Sequence, residues 1–439
     1  MTSKTFPLSK LSGALAVALV MSMPSARAGV APVLTSLYSF QGTPDGANPE
    51  ADLIIDSNGN IYGTTIGGGA YGWGAVYQLT PNGGSWTETV LYSFTGGADG
   101  ANPTSILSIS STGLIYGTAF GGGSVGYGTI FQLTPPILPG GTWTETVVHN
   151  FGVSGLDGIN PQTKLLISAT GDLYGTTYAG GLTGLGVVFQ FSIATGQERI
   201  LYAFNGGTDG AHPQSGLIDD QGRKFYGTTY QGGAPGYGTV FQLTLGTGGV
   251  WNEKVLYGFT GGADGGIPNP GMFLDRSGSG VLYGSTFWGG NINNCLESGY
   301  PSGCGVVFSL TPPTTAGQPW TEAVLYAFTG TVPDGAHPYP NLIFGVGGTI
   351  YGTTISGGTR EDNCFVGSYR GCGTIYRLSP PVGTQDGAWT SQILHVFRNS
   401  DGGGPYGMIR GPVGSGVFYG ATTLGGSSPS FGTVFQFKP

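Results

Sequence analysis

The sequence predicts an all-β protein, a seven-bladed β-propeller with four antiparallel strands in each blade. Three observations point there. A set of motifs recurs seven times at intervals of 53–69 residues, every copy holds four apolar segments of strand length, and the two ends of the chain are offset so that the set closes into a ring.

Each unit opens on an Asp-Gly turn, at Asp45, Asp99, Asp157, Asp209, Asp264, Asp334 and Asp401. Strand a follows (ADLIID in the first unit), then a glycine-containing turn and strand b (NIYGTT). A glycine-rich loop leads to strand c (AVYQLT), and strand d (WTETVLYSF) completes the unit. The segments are rich in Tyr, Phe, Val, Ile and Thr and are separated by Gly, Asp, Asn and Pro, the composition of short strands and tight turns. Both faces of the strands tend to be apolar, as expected of small sheets packed between two neighbours.

The chain begins with a d strand (VLTSLYSF, 33–40) and ends with a c strand (GTVFQFK, 432–438). Pairing the two completes the last blade with the first strand. An open solenoid would gain nothing from such an offset and would need a cap at each end.

The patterns YGTT..GG..G.GTVFQLTP and LYSF.GG.DGANP resemble the Gloeo/Verruco (GloVer) tandem repeat family of exported bacterial proteins. The resemblance covers essentially the whole chain after the first residues. It implies export and a repeat architecture and brings no defined catalytic residues. Family members carry varied C-terminal anchors. No sorting segment follows strand c before Pro439, so surface anchoring is left open.

Residues 1–28 read as a secretory signal. Lys4 and Lys10 precede a short apolar run at 11–22, and Ala26-Arg27-Ala28 offers a small-residue cleavage site. The run is too short to span a bilayer, and no transmembrane segment is expected elsewhere. The expected mature chain, 29–439, is a single propeller domain, periplasmic or extracellular. Loss of Lys4, Lys10 and Arg27 takes the net charge from −8 to −11. An acidic chain without a polybasic run is not expected to bind nucleic acid or anionic lipid.

Strand alternation puts the b–c and d–a loops on one face of the disc, where binding is expected. Insertions in the b–c loops of blades 5 and 6 hold all four cysteines. Local disulfides Cys295–Cys304 and Cys364–Cys372 are expected, since the spacings suit zinc poorly. In the G-x-G entering strand c, the middle residue is Trp73, Tyr127, Leu185, Tyr237, Cys304, Cys372 and Phe431. Packing between blades is the first expectation for this slot, and a partial ring of aromatics facing a ligand is the second. Candidate ligand-binding residues are Trp73, Tyr127, Tyr237, Trp288, Tyr300, Arg360, Glu361, Asp362, Tyr369 and Arg370, with a glycan or protein as the ligand.

The Asp-Gly turns raise calcium as a cofactor, but a calcium site needs six to eight oxygens and each turn brings one carboxylate, so a turn role is expected. The Trp that starts strand d (Trp86, Trp143, Trp251, Trp320, Trp389) reads as packing. The Glu two residues later (Glu88, Glu145, Glu253, Glu322) reads as a solvated edge charge. All four histidines fall in repeat slots and read as substitutions. The expected function is therefore a non-catalytic binding or scaffold module. The alternative is a polysaccharide lyase or glycoside hydrolase using carboxylates of the insertion loops, among them Glu297, Glu361 and Asp362.

Overall fold

The computed structural model describes residues 31–138, 140–220, 224–291, 295, 302–359, 364–366, 369–382, 387–426 and 430–439, and Pro32–Pro439 form one compact unit. The expected signal, 1–28, lies outside the described residues, as do Tyr300, Glu297, Arg360, Glu361 and Asp362.

Seven antiparallel sheets succeed one another along the chain. In blade 1, a (Ile54–Ile55), b (Ile61–Thr65), c (Ala75–Asn82) and d (Ser85–Ser93) are hydrogen-bonded in that order. Blade 7 takes a (Gly403–Arg410), b (Phe418–Leu424) and c (Thr433–Lys438) from the end of the chain and d (Val33–Ser39) from its start. Val33 pairs with Lys438 and Ser39 with Thr433, so the ring closes as the terminal offset predicts.

Strand a gains a piece that the sequence reading did not assign to it. In blades 3 to 6 the Asp-Gly-x-x-Pro turn itself forms a short strand ahead of the apolar run, so that Gly158–Pro161 and Leu166–Ile167, for example, both pair with the same b strand. The residue before the Pro of this turn has a positive φ (Asn48 57°, Asn102 51°, Asn160 58°, His212 57°, Ile267 57°, His337 57°). Asn tolerates this left-handed conformation best.

That residue also ties the blades together. Its N–H donates to the carbonyl of the preceding blade's G-x-G middle residue, as in Asn102 to Trp73 (2.9 Å) and His337 to Cys304 (2.8 Å). The Asn102 amide reaches back to the Ile66 carbonyl at 2.9 Å, and His212 Nδ1 makes the matching 2.9 Å contact to the Tyr178 carbonyl. His212 thus does in its slot what Asn does in others.

Seven buried clusters fill the spaces between blades. At every boundary the last Phe of strand d, fully buried, meets an aromatic of the next blade's strand c edge-on. These pairs include Phe40–Tyr77 at 4.9 Å, Phe94–Phe131 at 5.1 Å and Phe204–Phe241 at 5.2 Å. The c-strand ring lies over the glycine of YGTT, where a Cβ on Gly63 would stand 2.4 Å from the Tyr77 hydroxyl. The d-strand Trp packs as expected. Trp86 meets Tyr419, Trp143 meets Tyr62 and Trp320 meets Tyr226, each a Tyr of the preceding blade.

The d-strand Glu corrects an expectation. Glu88, Glu145, Glu253 and Glu322 are not solvated edge charges but half-buried, each with one carboxyl oxygen that has no hydrogen-bond partner. The period of two along strand d puts Glu on the same inward side as Trp. Burial first, and the Asp of the preceding turn second, push each of the four up to about 7.

Candidate ligand-binding site

The structure sorts the described aromatic candidates into two groups. Trp73, Tyr127 and Tyr237 stand on the loop face, 48%, 46% and 36% exposed. Each rests on a glycine of the following d–a loop: a Cβ on Gly96, Gly152 or Gly261 would lie 2.5–2.8 Å from the ring. One side of each ring is therefore packed and the other open. They sit one to a blade, on blades 1, 2 and 4, and do not converge.

Trp288 and Tyr369 do converge. Trp288 ends strand b of blade 5 (Leu282–Trp288), and Tyr369 belongs to a small hairpin, Phe365–Val366 with Tyr369–Arg370, in the blade 6 insertion. Disulfide Cys364–Cys372 closes that hairpin, and Cys295–Cys304 closes the blade 5 insertion, as the spacing predicts. The hairpin carries the Tyr369 ring to 5.9 Å from Trp288 and 5.5 Å from Phe287. His337 sits against all three rings, at 4.5–4.8 Å. Burial holds its imidazole neutral, down at about 3, and Nδ1 contacts Ser356 Oγ at 2.8 Å.

These rings wall a pocket of about 240 Å³, joined by Tyr230 and Tyr339 and by the amide residues Gln214 and Asn269. Trp288 is 2% exposed and forms wall, whereas Tyr369 is half-buried and Arg370 beside it is exposed. A concave site lined by aromatics with a few polar groups is the usual form of a small-ligand site.

The pocket shares Gln214, Pro270 and Tyr339 with a second cavity of about 160 Å³ lined by residues from all seven blades, the hub of the ring. The residue after the Pro of each Asp-Gly turn lines this hub or the adjoining pocket: Glu50, Thr104, Gln162, Gln214, Asn269, Tyr339 and Tyr406. None of the seven was singled out from the sequence, where this position changes from Glu to Thr, Gln, Asn and Tyr between units.

The hub holds buried ionisable groups. Asp52 is buried, accepts from the Asn341 amide through Oδ2, and has no partner at Oδ1, which lies against Gly407. Burial pushes its carboxyl up to about 8, opposed by Lys164. Lys164 keeps accessible surface within the lumen, yet it is surrounded by protein, and loss of bulk water lowers its ammonium below the usual range. Burial also raises Glu50, against the bond it makes with Tyr406, and the Tyr406 ring lies tilted against Tyr339 at 4.2 Å.

The Asp-Gly carboxylates are engaged within their own turns. Asp45, for instance, accepts from the Tyr38 hydroxyl (3.0 Å) and from the N–H groups of Gln41 (2.9 Å) and Gly46 (2.6 Å).

Solved structures share this architecture. A fungal alcohol oxidase in complex with copper superposes with a TM-score of 0.55 at 14% identity, over 93% of this chain and 76% of that one. An ulvan lyase bound to a glucuronate–sulfated rhamnose unit gives 0.53 at 11%, over 92% and 95%. A putative 6-phosphogluconolactonase from Bacteroides uniformis gives 0.50 at 14%, over 84% and 89%. At such identities the likeness shows the fold alone. No curated protein matches the chain in sequence. The Gloeobacter/Verrucomicrobia repeat profile matches residues 26–144 and 89–296, and with its motifs continuing to the last strand the chain belongs to the Gloeobacter/Verrucomicrobia repeat family.

Proposed function

We propose that this protein is an exported, non-catalytic propeller that binds a glycan in the aromatic pocket at the mouth of the hub. The observation that carries the reading is the convergence of Tyr230, Phe287, Trp288, Tyr339 and Tyr369 around about 240 Å³, with the amide side chains of Gln214 and Asn269 among them. The C–H faces of a sugar ring suit the electron-rich faces of aromatic rings, and amides suit its hydroxyls. A disulfide-closed hairpin holding Tyr369 supports the same reading, because a preorganised wall lowers the entropic cost of binding.

The test is a thermal-shift screen of residues 29–439 against oligosaccharides. A ligand at a hundred times its Kd should add about 2.7 kcal/mol of stability. Tyr369→Ala and Tyr230→Ala should each weaken binding at least tenfold while Trp73→Ala leaves it unchanged. A glycan shift lost with Trp73→Ala instead would move the site to the loop-face ring. No shift with any glycan would remove the reading.

One observation favours a second reading, a propeller enzyme. Asp52 and Lys164 line one cavity, where burial raises the Asp52 carboxyl to about 8 and lowers the Lys164 ammonium below its usual range, a pair suited to acid–base chemistry. New reducing or unsaturated ends on a bound oligosaccharide, lost with Lys164→Met, would decide for it.

A further inference from the structure

Around the outer rim, five boundaries between blades repeat one contact. A d-strand Tyr donates its hydroxyl to the Asp of the following turn, in the pairs Tyr38–Asp45, Tyr92–Asp99, Tyr202–Asp209, Tyr257–Asp264 and Tyr326–Asp334, at 3.0–3.2 Å. Four of these five add a half-buried Glu from the next blade's strand d. Between blades 2 and 3 the arrangement changes. His149 takes the Tyr slot, beside Asp157 of the turn and Glu198 of strand d in blade 3 (Gln197–Ala203).

His149 Nε2 lies 3.9 Å from Asp157 Oδ1 and 3.8 Å from Glu198 Oε2, too far for hydrogen bonds. The Asp157 side chain is 4% exposed, and while the N–H of Val153 donates to Oδ2 at 3.1 Å, Oδ1 has no partner. His149 Nε2 and Glu198 Oε1 likewise have none. Burying such groups unpaired is costly. Among the described residues, this is the one group of three or more His, Cys, Asp or Glu whose ligand atoms all lie within 4.8 Å of one another.

The boundary between blades 6 and 7 serves as an internal comparison. His395 also replaces the Tyr there, but Leu34 occupies the Glu slot, and His395 Nε2 closes to 3.0 Å on Asp401 Oδ2. A His in this slot can therefore satisfy itself on the turn Asp. Where Glu198 is added, the three groups stand around a common point instead.

We propose that His149, Asp157 and Glu198 form a transition-metal site that takes zinc, with an imidazole nitrogen, two carboxylate oxygens and water as the fourth ligand. Zinc accepts this donor set with bonds of about 2.0–2.2 Å, which puts neighbouring tetrahedral ligands about 3.3 Å apart. The two spacings from His149 reach that by closing roughly half an ångström. Calcium would need twice as many oxygens. The charge balance agrees, since burial and the neighbouring Asp157 drive the Glu198 carboxyl well above its ordinary range and a divalent cation would relieve both carboxylates. The bound ion would join the outer strands of two blades.

The test strips the purified protein with a chelator and titrates zinc calorimetrically, with cobalt absorption as a second readout of coordination. The expected result is one zinc per chain, a raised Tm, and a cobalt spectrum of low coordination number. His149→Tyr restores the repeat's own residue and should fold normally while binding no zinc. Glu198→Gln should weaken zinc at least tenfold. Failure of the wild type to take up zinc would overturn the proposal and leave a proton shared between Glu198 and Asp157. Equal zinc binding by wild type and His149→Tyr would overturn it as well.

Discussion

If the first strand closes the ring, the boundary it makes should be worth as much as any other, and Phe40→Ala tests this. Phe40 ends the first d strand, is fully buried, and meets Tyr77 of blade 1 edge-on at 4.9 Å. Phe204 has the same burial and meets Phe241 at 5.2 Å, but its strand lies in the middle of the chain. Truncating a buried Phe to Ala costs about 3–5 kcal/mol from lost transfer energy plus the cavity left behind. Equal surroundings therefore predict equal losses for Phe40→Ala and Phe204→Ala, within about 1 kcal/mol. Urea unfolding followed by tryptophan fluorescence would read them as matching shifts of the midpoint, on the order of 1 M for an m value of about 4 kcal/mol/M in a chain this large. A loss below about 1 kcal/mol for Phe40→Ala beside a full loss for Phe204→Ala would mean that the first strand is dispensable. That result would refute closure by the first strand.

Two further outcomes are expected. Glu88, Glu145, Glu253 and Glu322 sit near 7 in the folded chain, above their ordinary value of 4.5, so the folded state binds more protons than the unfolded state between those limits. Stability should then fall as pH rises from about 4.5 to about 7 and stay at the lower level above it, by about 1 kcal/mol for each Glu once solvent around these half-buried groups is allowed for. Melting at pH 5 and pH 8 checks this, and a higher Tm at pH 8 would contradict it. Replacing Cys364 and Cys372 by Ser should cost at most about 2–3 kcal/mol, since the closed loop is short, and should weaken any ligand that rests on Tyr369. An unchanged melting curve together with unchanged binding would deny the hairpin its role.

The fold was readable in the sequence because a propeller repeats its physics. Each unit must present two apolar faces, so the same Phe, Tyr-Gly and Trp recur, and self-comparison finds them. The disulfides were readable because each joins cysteines eight or nine residues apart within one loop. The hub was missed for the complementary reason. Glu50, Gln162 and Tyr406 occupy the position that no shared packing constrains, and a search for sameness passes over it. The meeting of Tyr369 with Trp288 depends on how a hairpin of one blade leans toward the preceding one, which periodicity does not encode. The d-strand Glu was misread because a charge was taken as a sign of exposure, although its alternation with Trp already placed it inward. His149 was set aside as a substitution because its partners, Asp157 and Glu198, become neighbours only across the boundary between two blades.

Joining Val33–Ser39 to Thr433–Lys438 also has a cost in assembly. The strand partners are separated by nearly the whole chain, so the first strand is held only by its packing on blade 1 until the last blade forms. Until closure, blade 7 offers an open edge with unpaired N–H and C=O groups, and a loose strand of matching sequence hangs from the same molecule. At high concentration that strand can reach a neighbour's edge as readily as its own, giving pairs or chains of rings that exchange their first strands. Dilute refolding should favour single rings, and concentrated refolding the exchanged forms.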